Sequence, residues 1–172
     1  MLKKALESVL TPKESDELIA AFDQIGDIII VRIPDSLLGK KKLIGQTLLE
    51  EVKIARSVFY QSSPVEGDFR TRNLEILAGE DSTETEYKEF GCRFKVDVAN
   101  AFFSPRLSTE RERIANLIQE GEAVVNMFAG VGMFSIMAAK QKKCTVYSID
   151  INPIASKLCK KNIELNLSLI HI

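Results

Sequence analysis

The sequence has no tryptophan, one histidine and three cysteines, and these shortages exclude several kinds of site. Cys92, Cys144 and Cys159 form no Cys-x-x-Cys pair, and His171 stands apart near the end of the chain. The ligand spacing of a zinc site and the pairing of a disulfide framework are therefore both missing. We expect no metal, and three thiols that pack as small apolar side chains.

An excess of charge of one sign and a long apolar run are also lacking. The 23 lysines and arginines balance 24 aspartates and glutamates, so no global charge attracts nucleic acid or an anionic membrane. Any RNA contact must therefore be local. No apolar run approaches the roughly 20 residues that span a bilayer, and charges interrupt the opening MLKKALESVL too early for a secretory signal. We expect a monomeric cytoplasmic protein without a membrane segment.

The 45% of hydrophobic residues in a chain of 172 residues suffices for a folded core. Apolar residues return at helical spacing over 2–9 and again over 37–56. A β-branched run over 28–33 predicts a strand that Pro34 ends, and residues 58–60 predict a short strand. Helices and strands thus alternate in this first part of the chain.

Polar and β-type stretches follow up to residue 103. The segment SSPVEGDFRTR predicts a loop, and LEILAG, YKEFGCRFKVDV and NAFFSP predict an antiparallel set of strands. The lysine run 40–42 is typical of an exposed helix face rather than of an RNA contact. We interpret residues 1–103 as a small α+β module.

Residues 104–172 show the β-α-β-α order of half a doubly wound sheet. Thr109 and Glu112 fit a capping box for a helix that Gly121 ends. The run AVVNMF predicts a buried parallel strand, GMFSIMAAK a helix and TVYSID a second strand. Asn152 and Pro153 then fit the cap and first position of another helix. The predicted fold class is α/β, with the first half of a Rossmann-like domain after the N-terminal module.

The segment NMFAGVGMFS joins the first of these strands to its helix. Gly130 and Gly132 allow the backbone to turn tightly and a ligand to lie against it. Asp150 ends the second strand, where a carboxylate can accept hydrogen bonds from both hydroxyls of a ribose. The pattern predicts an adenosine pocket. A dinucleotide fold would usually have a third glycine where this chain has Ser135, so an NAD-dependent oxidoreductase is the weakest alternative.

FAGVG followed by DINP resembles the first two motifs of class I S-adenosylmethionine methyltransferases. The resemblance implies that residues 128–132 border the methionine part of the cofactor, that Asp150 holds the ribose and that Ile151 packs on the adenine. The cofactor-binding residues implied in this way are Phe128, Ala129, Gly130, Gly132, Asp150, Ile151 and Asn152.

Four segments of the sequence occur in the order and spacing of one family. They are GDFRTRNLEILAG, NAFFSPRLSTERERI, NMFAGVGMFSI and DINPIASKLCKKNIELN. The sequence resembles the archaeal and eukaryotic tRNA (guanine-37, N1)-methyltransferases from Met1 to about Asn166. The resemblance implies an enzyme that methylates N1 of guanine 37 in tRNA, with S-adenosylmethionine as cofactor. It also implies that residues 1–103 orient the tRNA and that residues 104–172 form an incomplete cofactor domain.

The chemistry of this reaction requires a base and a cation. N1 of guanine carries a proton at neutral pH, and negative charge develops at O6 when that proton leaves. Glu110 matches the proposed general base of the family, and Arg70 matches the arginine that stabilises O6. Glu110 would also suit the helix dipole, and Arg70 could be a solvated loop charge. Arg106 is a weaker candidate for shaping the site.

Several features depart from the family pattern. Asn126 stands where the family usually has aspartate, and Met133 replaces the usual proline. The Asn-Pro-Pro segment of the family is absent, and the closing LSLIHI does not continue the family's helix. We expect the natural protein to continue past Asn166, with His171 not native.

Two other functions stay open at this stage. The related aminocarboxypropyl transferase of wybutosine synthesis uses the same cofactor, although FSPRLSTER favours the methyltransferase. Alternatively, the chain acts only as a cofactor-binding or RNA-binding fragment without turnover.

Overall fold

The computed structural model describes residues 6–7, 9–18 and 22–166, and its contacts divide the chain into two compact units. The first unit contains the described residues up to Val65 together with Arg72–Thr83. The second contains Glu66–Thr71 and the described residues from Glu84 onwards. Most of the helix predicted over 2–9, and the whole of LSLIHI with His171, lie outside the described residues.

The first unit is built on a mixed four-stranded sheet. Its elements are α1 (Pro12–Glu17), β1 (Phe22–Ile25), β2 (Ile28–Val31), a 3-10 helix (Asp35–Lys40), α2 (Lys41–Glu51), β3 (Ser57–Gln61) and β4 (Leu74–Gly79). The strand order is β1-β2-β3-β4, and only the central β2–β3 pair is parallel. The core lies between the sheet and α2, where Ile29, Ile44, Leu48 and Val58 are fully buried.

A capping box opens α1. The backbone N–H of Glu14 donates to Thr11 Oγ1 at 3.3 Å, and the N–H of Thr11 donates to Glu14 Oε2 at 2.8 Å. Lys40 Nζ lies 2.6 Å from Glu14 Oε1 and joins α1 to the 3-10 helix. The hydrogen bond from Lys40, followed by that from the Thr11 backbone, lowers the pKa of Glu14 to about 2.

The three lysines of the run 40–42 all form bonds within the first unit. Besides the pair of Lys40 with Glu14, Lys41 Nζ lies 2.8 Å from Glu75 Oε2, and Lys42 Nζ donates to the carbonyl of Ile76. These bonds support a structural role for the lysine run.

The second unit combines a hairpin with a parallel βαβα segment. Its elements are β5 (Glu84–Glu89), β6 (Cys92–Asp97), a 3-10 helix (Pro105–Leu107), α3 (Ser108–Leu117), β7 (Ala123–Asn126), α4 (Met133–Gln141), β8 (Thr145–Ser148) and α5 (Pro153–Asn166). Strands β5 and β6 are antiparallel, and β7 and β8 are parallel with Asn126 opposite Ser148. The predicted β-α-β-α order is thus present.

Two asparagines of α5 bind the edge of the hairpin. The side chain of Asn162 accepts from the N–H of Lys95 and donates to the carbonyl of the same residue, at 2.7 and 3.0 Å. Asn166 bonds the N–H and carbonyl of Arg93 in the same way, at 2.7 and 2.6 Å. These bonds lie within the second unit, which includes β5 and β6, whereas the sequence predicted a boundary between residues 103 and 104.

One face of the β7–β8 pair is open to solvent. Four apolar side chains on this face are each more than half exposed: Val125, Met127, Tyr147 and Ile149. We call the surface that they form the open face. Parallel strands are usually covered on both faces, so this apolar surface is unusual. None of the helices in the described ranges combines the length and hydrophobicity that crossing a membrane requires.

Three predictions made from the sequence are wrong. NAFFSP forms no strand, because Asp97 accepts hydrogen bonds from the backbone of Ala99 and Asn100 and folds the chain into a turn. The capping box at Thr109 and Glu112 is also absent, since the 3-10 turn from Pro105 runs directly into α3 at Ser108 and leaves Thr109 inside the helix. In addition, α3 ends at Leu117, four residues before Gly121.

Candidate active site

A tight turn follows β7 at the carboxyl ends of the two parallel strands. The N–H of Ala129 donates to the carbonyl of Ile149, and the N–H of Gly132 donates to the carbonyl of Ala129, both at 2.9 Å. Gly130 and Gly132 have φ angles of +54° and +90°, which other residues rarely adopt. The sequence-based prediction of a glycine turn at this position is confirmed.

Asp150 ties this turn to the end of β8. Its Oδ2 accepts from the N–H of Gly130 at 2.6 Å, and its Oδ1 accepts from the N–H of Asn152 at 2.9 Å. Each carboxylate oxygen has two lone pairs, so both oxygens retain acceptor capacity after these bonds. The carboxylate is half-buried and can therefore both organise the turn and accept from a ligand's hydroxyls.

Asn152 has a structural role. It is 3% exposed, and its Oδ1 accepts from the backbone N–H of Ile154 and caps α5. Its Nδ2 donates to the carbonyl of Asn100 at 2.8 Å. Asn152 thus connects the turn after β8 to the turn that Asp97 forms after β6, and its buried side chain acts as a support behind the site.

Gly132 lies directly against α5. A Cβ atom at this position would approach Cys159 Sγ to 2.6 Å, closer than two atoms can pack. Cys159 is buried, and burial raises the pKa of its thiol. The thiol therefore packs as a small apolar group behind the turn.

Asn126 ends β7 within a small polar cluster. Its Nδ2 donates to Ser135 Oγ at 3.0 Å, and Ser148 Oγ lies 2.8 Å from the same oxygen. Ser135 is 4% exposed, so this hydroxyl joins β7, β8 and α4 below the turn. The serine that stands in place of a third glycine thus has a structural role.

Two large apolar side chains beside the turn are exposed. Phe128 is 84% exposed and Ile151 is 72% exposed, whereas Ala129 between Phe128 and the glycines is buried. Phe128 follows β7 and Ile151 follows β8, so both lie at the carboxyl ends of the two parallel strands.

Glu110 lies in the first turn of α3 and forms an ion pair with Arg113. The two side chains make paired hydrogen bonds of 2.6 and 2.8 Å and are about half exposed. The hydrogen bonds from Arg113 hold the pKa of Glu110 below its usual value. The carboxylate therefore stays ionised at neutral pH, and it must leave Arg113 before it can accept a proton efficiently.

A buried ion pair holds the same helix to the hairpin. Arg111 donates to both carboxylate oxygens of Glu89 at 2.6 Å and to the carbonyl of Ser104 at 3.1 Å. Both charged side chains are at most 4% exposed. This contact fixes the position of the turn that carries Glu110, and it was not foreseen because Glu89 and Arg111 lie 22 residues apart.

Arg70 lies in the second unit, as Glu110 does, on the segment Glu66–Thr71. It is exposed and has a φ angle of +52°. Among the residues that the structure describes, none forms a hydrogen bond or ion pair with the Arg70 side chain, and none joins Arg70 to Glu110. Arg106 is also exposed, on the 3-10 turn before α3.

An apolar cavity of about 320 Å³ lies beside the turn. It touches Val124 and Val125, whose side chains point to opposite faces of β7, so it reaches around the edge of that strand. Phe128 is the only cofactor-binding candidate among its lining residues. The cavity is therefore separate from the carboxylate of Asp150, where a ribose is expected.

The structure thus brings the predicted cofactor residues together around one turn. Supporting residues that sequence reasoning missed are Asp97, Asn100, Ser135 and Asn162. Asn162 is fully buried and donates to the carbonyl of Val131 as well as to that of Lys95. Its spacing of four residues from Asn166 was the available signal for a polar helix face turned towards the protein.

Family comparisons match nearly the whole chain. The model of the TRM5/TYW2 methyltransferase domain matches residues 85–170, and the model of the TYW2 N-terminal domain matches residues 2–83. Among curated relatives, the tRNA (guanine(37)-N(1))-methyltransferase Trm5b of Pyrococcus abyssi is 47% identical over 161 residues. This alignment covers 93% of the chain but 48% of the relative, so the chain spans about half the length of the curated relatives it matches.

Solved structures give the same result. The structure of aTrm5 in complex with tRNALeu superposes with a TM-score of 0.86 at 42% identity, covering 96% of this chain and 49% of that one. The structure of TYW2 from P. horikoshii in complex with MeSAdo superposes with a TM-score of 0.75 at 31% identity, covering 96% and 58%. These superpositions confirm the predicted α/β fold class.

Proposed function

The chain belongs to the TRM5/TYW2 methyltransferase family, and we propose that it carries the turn that binds S-adenosylmethionine in a tRNA (guanine-37, N1)-methyltransferase. The observation that carries this proposal is the position of Asp150. Its carboxylate closes the glycine turn through Gly130 and keeps acceptor capacity on both oxygens. The MeSAdo complex of the TYW2 relative supports an adenosine ligand.

The described residues fit the parts of this cofactor. The two hydroxyls of a ribose match the remaining lone pairs of Asp150. The exposed side chains of Phe128 and Ile151 offer apolar surface for the adenine and for the methylene groups of the methionine part. Gly130, which is half-buried, leaves the backbone of the turn accessible to the methionine part, whereas Gly132 is buried against α5. The bound cofactor would supply an electrophilic methyl group on its sulfonium.

Glu110 and Arg70 are the proposed catalytic groups. Glu110 would take the proton from N1 of guanine, and the bound cofactor would supply the methyl group for N1. Arg70 donates to O6, where negative charge develops. No described residue binds the side chain of Arg70, which suits this role, and the bond of Glu110 to Arg113 must open first. The tRNA complex of the aTrm5 relative supports tRNA as the partner.

Because the chain spans about half of its relatives, methyl transfer is best assayed in a chimera. Residues 1–166 would be joined to the remaining half of P. abyssi Trm5b. With an unmodified tRNA transcript and S-adenosylmethionine, we expect a methyl group on N1 of guanine 37, detected by nucleoside mass spectrometry. A transcript with adenine at position 37 is the control.

Glu110→Gln should abolish transfer while cofactor binding persists, and full activity of this variant would remove Glu110 from the mechanism.

Cofactor binding can be measured on the chain itself. Asp150→Asn should weaken binding of S-adenosylmethionine by about 1 to 3 kcal/mol, the range for hydrogen bonds to charged groups. Glu122→Gln is the matched control, since Glu122 also accepts from a backbone N–H but precedes β7 at the opposite end of the strands. Equal affinities for both variants in calorimetric titrations would show that the ribose binds elsewhere.

A second candidate is favoured by the match of residues 2–83 to the TYW2 N-terminal domain. In that case, the same cofactor would donate its aminocarboxypropyl group to the tRNA. The mass of the modified nucleoside in the chimera assay distinguishes this product from a methylated guanine. Binding of S-adenosylmethionine by the chain with neither product in the chimera would instead favour a role in binding alone.

A further inference from the structure

The segment Glu66–Thr71 forms a closed loop in the second unit. Glu66 and Thr71 pair as an isolated antiparallel bridge, with the N–H of Glu66 donating to the carbonyl of Thr71 at 2.9 Å. Within it, the N–H of Arg70 donates to the carbonyl of Gly67 at 3.1 Å. We call this segment the 66–71 loop. Its backbone is fixed by its own hydrogen bonds.

The loop holds Arg70 in a conformation that residues other than glycine avoid. The φ angle of Arg70 is +52°, in the left-handed region. Apart from Phe90 in the β5–β6 turn, Arg70 is the only non-glycine residue with a positive φ in the described part of the chain. Strained residues of this kind concentrate at binding sites, where the side chain must be presented in one direction.

Arg70 differs from most other arginines of the chain in having no side-chain partner among the described residues. Five other arginines each form an ion pair, namely Arg56, Arg72, Arg93, Arg111 and Arg113. Arg70 forms none with any described residue, although the acidic residues Glu66 and Asp68 lie on the same loop. Its neighbour Phe69 is 45% exposed. The loop thus carries an exposed phenyl ring and, at the next position of the chain, a guanidinium that no described residue binds.

From this combination, we propose that Phe69 stacks on an unpaired base of the RNA while Arg70 donates to the edge of that base. The inference rests on the proposed function and extends it by assigning Phe69 to RNA binding. Sequence-specific RNA recognition uses unstacked bases, which pack on aromatic rings and hydrogen-bond through their edges. A guanidinium supplies several donors in one plane and suits the acceptors of a purine edge.

The absence of tryptophan makes a direct test possible. Phe69→Trp places a single fluorophore on the 66–71 loop. Phe90→Trp is the matched control, because Phe90 is 46% exposed, lies in a turn of the same unit and also has a positive φ, of +46°. Each variant of this chain would be titrated with a dye-labelled anticodon stem-loop RNA that carries guanine at position 37. Anisotropy of the dye reports binding, and tryptophan emission reports stacking.

We expect saturable quenching of the tryptophan in Phe69→Trp, at the RNA concentrations that raise the anisotropy, and none in Phe90→Trp. A fully paired RNA duplex should not quench either variant. In a separate titration, Phe69→Leu should bind the stem-loop about tenfold more weakly than the wild type, within the range for loss of one stacked base. Phe90→Leu should bind with unchanged affinity.

Binding without quenching in Phe69→Trp, or equal quenching by the duplex, would overturn the stacking role and leave the proposed function standing. If the wild-type chain does not bind the stem-loop at all, the tRNA partner of the proposed function and the stacking role of Phe69 both fall. The two failures are therefore distinguishable in one set of titrations.

Discussion

Two glycines of this chain share a left-handed conformation but differ in their surroundings. Gly132 has a φ angle of +90° and would place a Cβ 2.6 Å from Cys159 Sγ, whereas Gly121 has a φ of +83° and open space around it. The conformational cost of a side chain is similar at both positions. Only at Gly132 is there a steric cost as well, because α5 packs against the glycine turn.

Gly132→Ala should therefore lower the free energy of unfolding by about 2 to 5 kcal/mol, the sum of the left-handed strain and of overpacking. Gly121→Ala should cost only about 1 to 2 kcal/mol, from strain alone. Urea unfolding followed by circular dichroism measures both. If the two variants lose equal stability, the contact with Cys159 does not constrain the turn.

The sequence predicted the need for small residues at positions 130 and 132 but not the reason at Gly132. The turn pattern is local, whereas Cys159 comes from a helix that begins more than twenty residues later. Asp150 was predicted from its spacing, and its bond to Gly130 now explains that spacing structurally. The left-handed backbone of Arg70 could not be predicted, because arginine has no preference for that region.

At the scale of elements, α3 is anchored by the ion pair between Arg111 and Glu89. The two side chains are at most 4% exposed, so neither charge has water to replace its partner. In the same strand β5, Glu86 pairs with Arg93 at the surface, where the arginine side chain is 55% exposed. The two pairs offer a matched comparison of buried and exposed charge.

Glu89→Gln should destabilise the protein by about 3 kcal/mol or more, because it leaves a buried guanidinium without a counter-charge. Glu86→Gln should change stability by less than about 1 kcal/mol, as is usual for exposed pairs. Chemical denaturation of both variants tests the difference. A small effect of Glu89→Gln would mean that water reaches Arg111 in the folded protein.

The capping box of α1 makes a separate prediction about pH. The folded-state pKa of Glu14, about 2, lies below the usual 4.5, so its carboxylate stabilises the fold above pH 4.5 and this contribution disappears as the pH falls towards 2. Glu14→Gln should therefore melt at a lower temperature than the wild type at neutral pH, and the gap should close in acid. Glu17→Gln, an exposed position of the same helix, should show no such trend. A difference in melting temperature between Glu14→Gln and the wild type that stays constant with pH would contradict the lowered pKa of Glu14.

Local patterns predicted the strands β3 and β4 and the helices α4 and α5, because apolar alternation and caps decide these elements. They failed where a side chain overrides the pattern, as Asp97 does in NAFFSP. A capping box was predicted at Thr109, where Pro105 starts the helical turn earlier, and one was missed at Thr11. The contacts of Asn162 and Asn166 with the hairpin join residues about 70 positions apart, and no local pattern encodes them.

At the scale of the whole molecule, the open face on β7 and β8 is the most unusual surface. Val125 pairs with Tyr147 across β7 and β8, whereas Leu43 and Ile54, two other exposed apolar residues, lie in the first unit. Contiguous apolar surface binds apolar dyes, while isolated apolar side chains are normal on proteins.

The native chain should therefore enhance the fluorescence of the apolar dye ANS. Replacing Val125 and Tyr147 together by threonine should reduce this signal, since threonine keeps the β preference of the strands and removes most of the apolar area. Replacing Leu43 and Ile54 by threonine is the control with an equal number of substitutions. An equal loss of signal in both double variants would show that the open face is not the binding surface.

The paired bonds from Asn162 and Asn166 also have a consequence for how β6 meets other molecules. A strand edge with free N–H and carbonyl groups is a template on which another chain can add a strand, the step that begins aggregation. Here two amide side chains already occupy the groups of Arg93 and Lys95, in the pattern that a neighbouring backbone would use. Helix α5 thus serves as a built-in barrier to strand addition at the outer edge of β6.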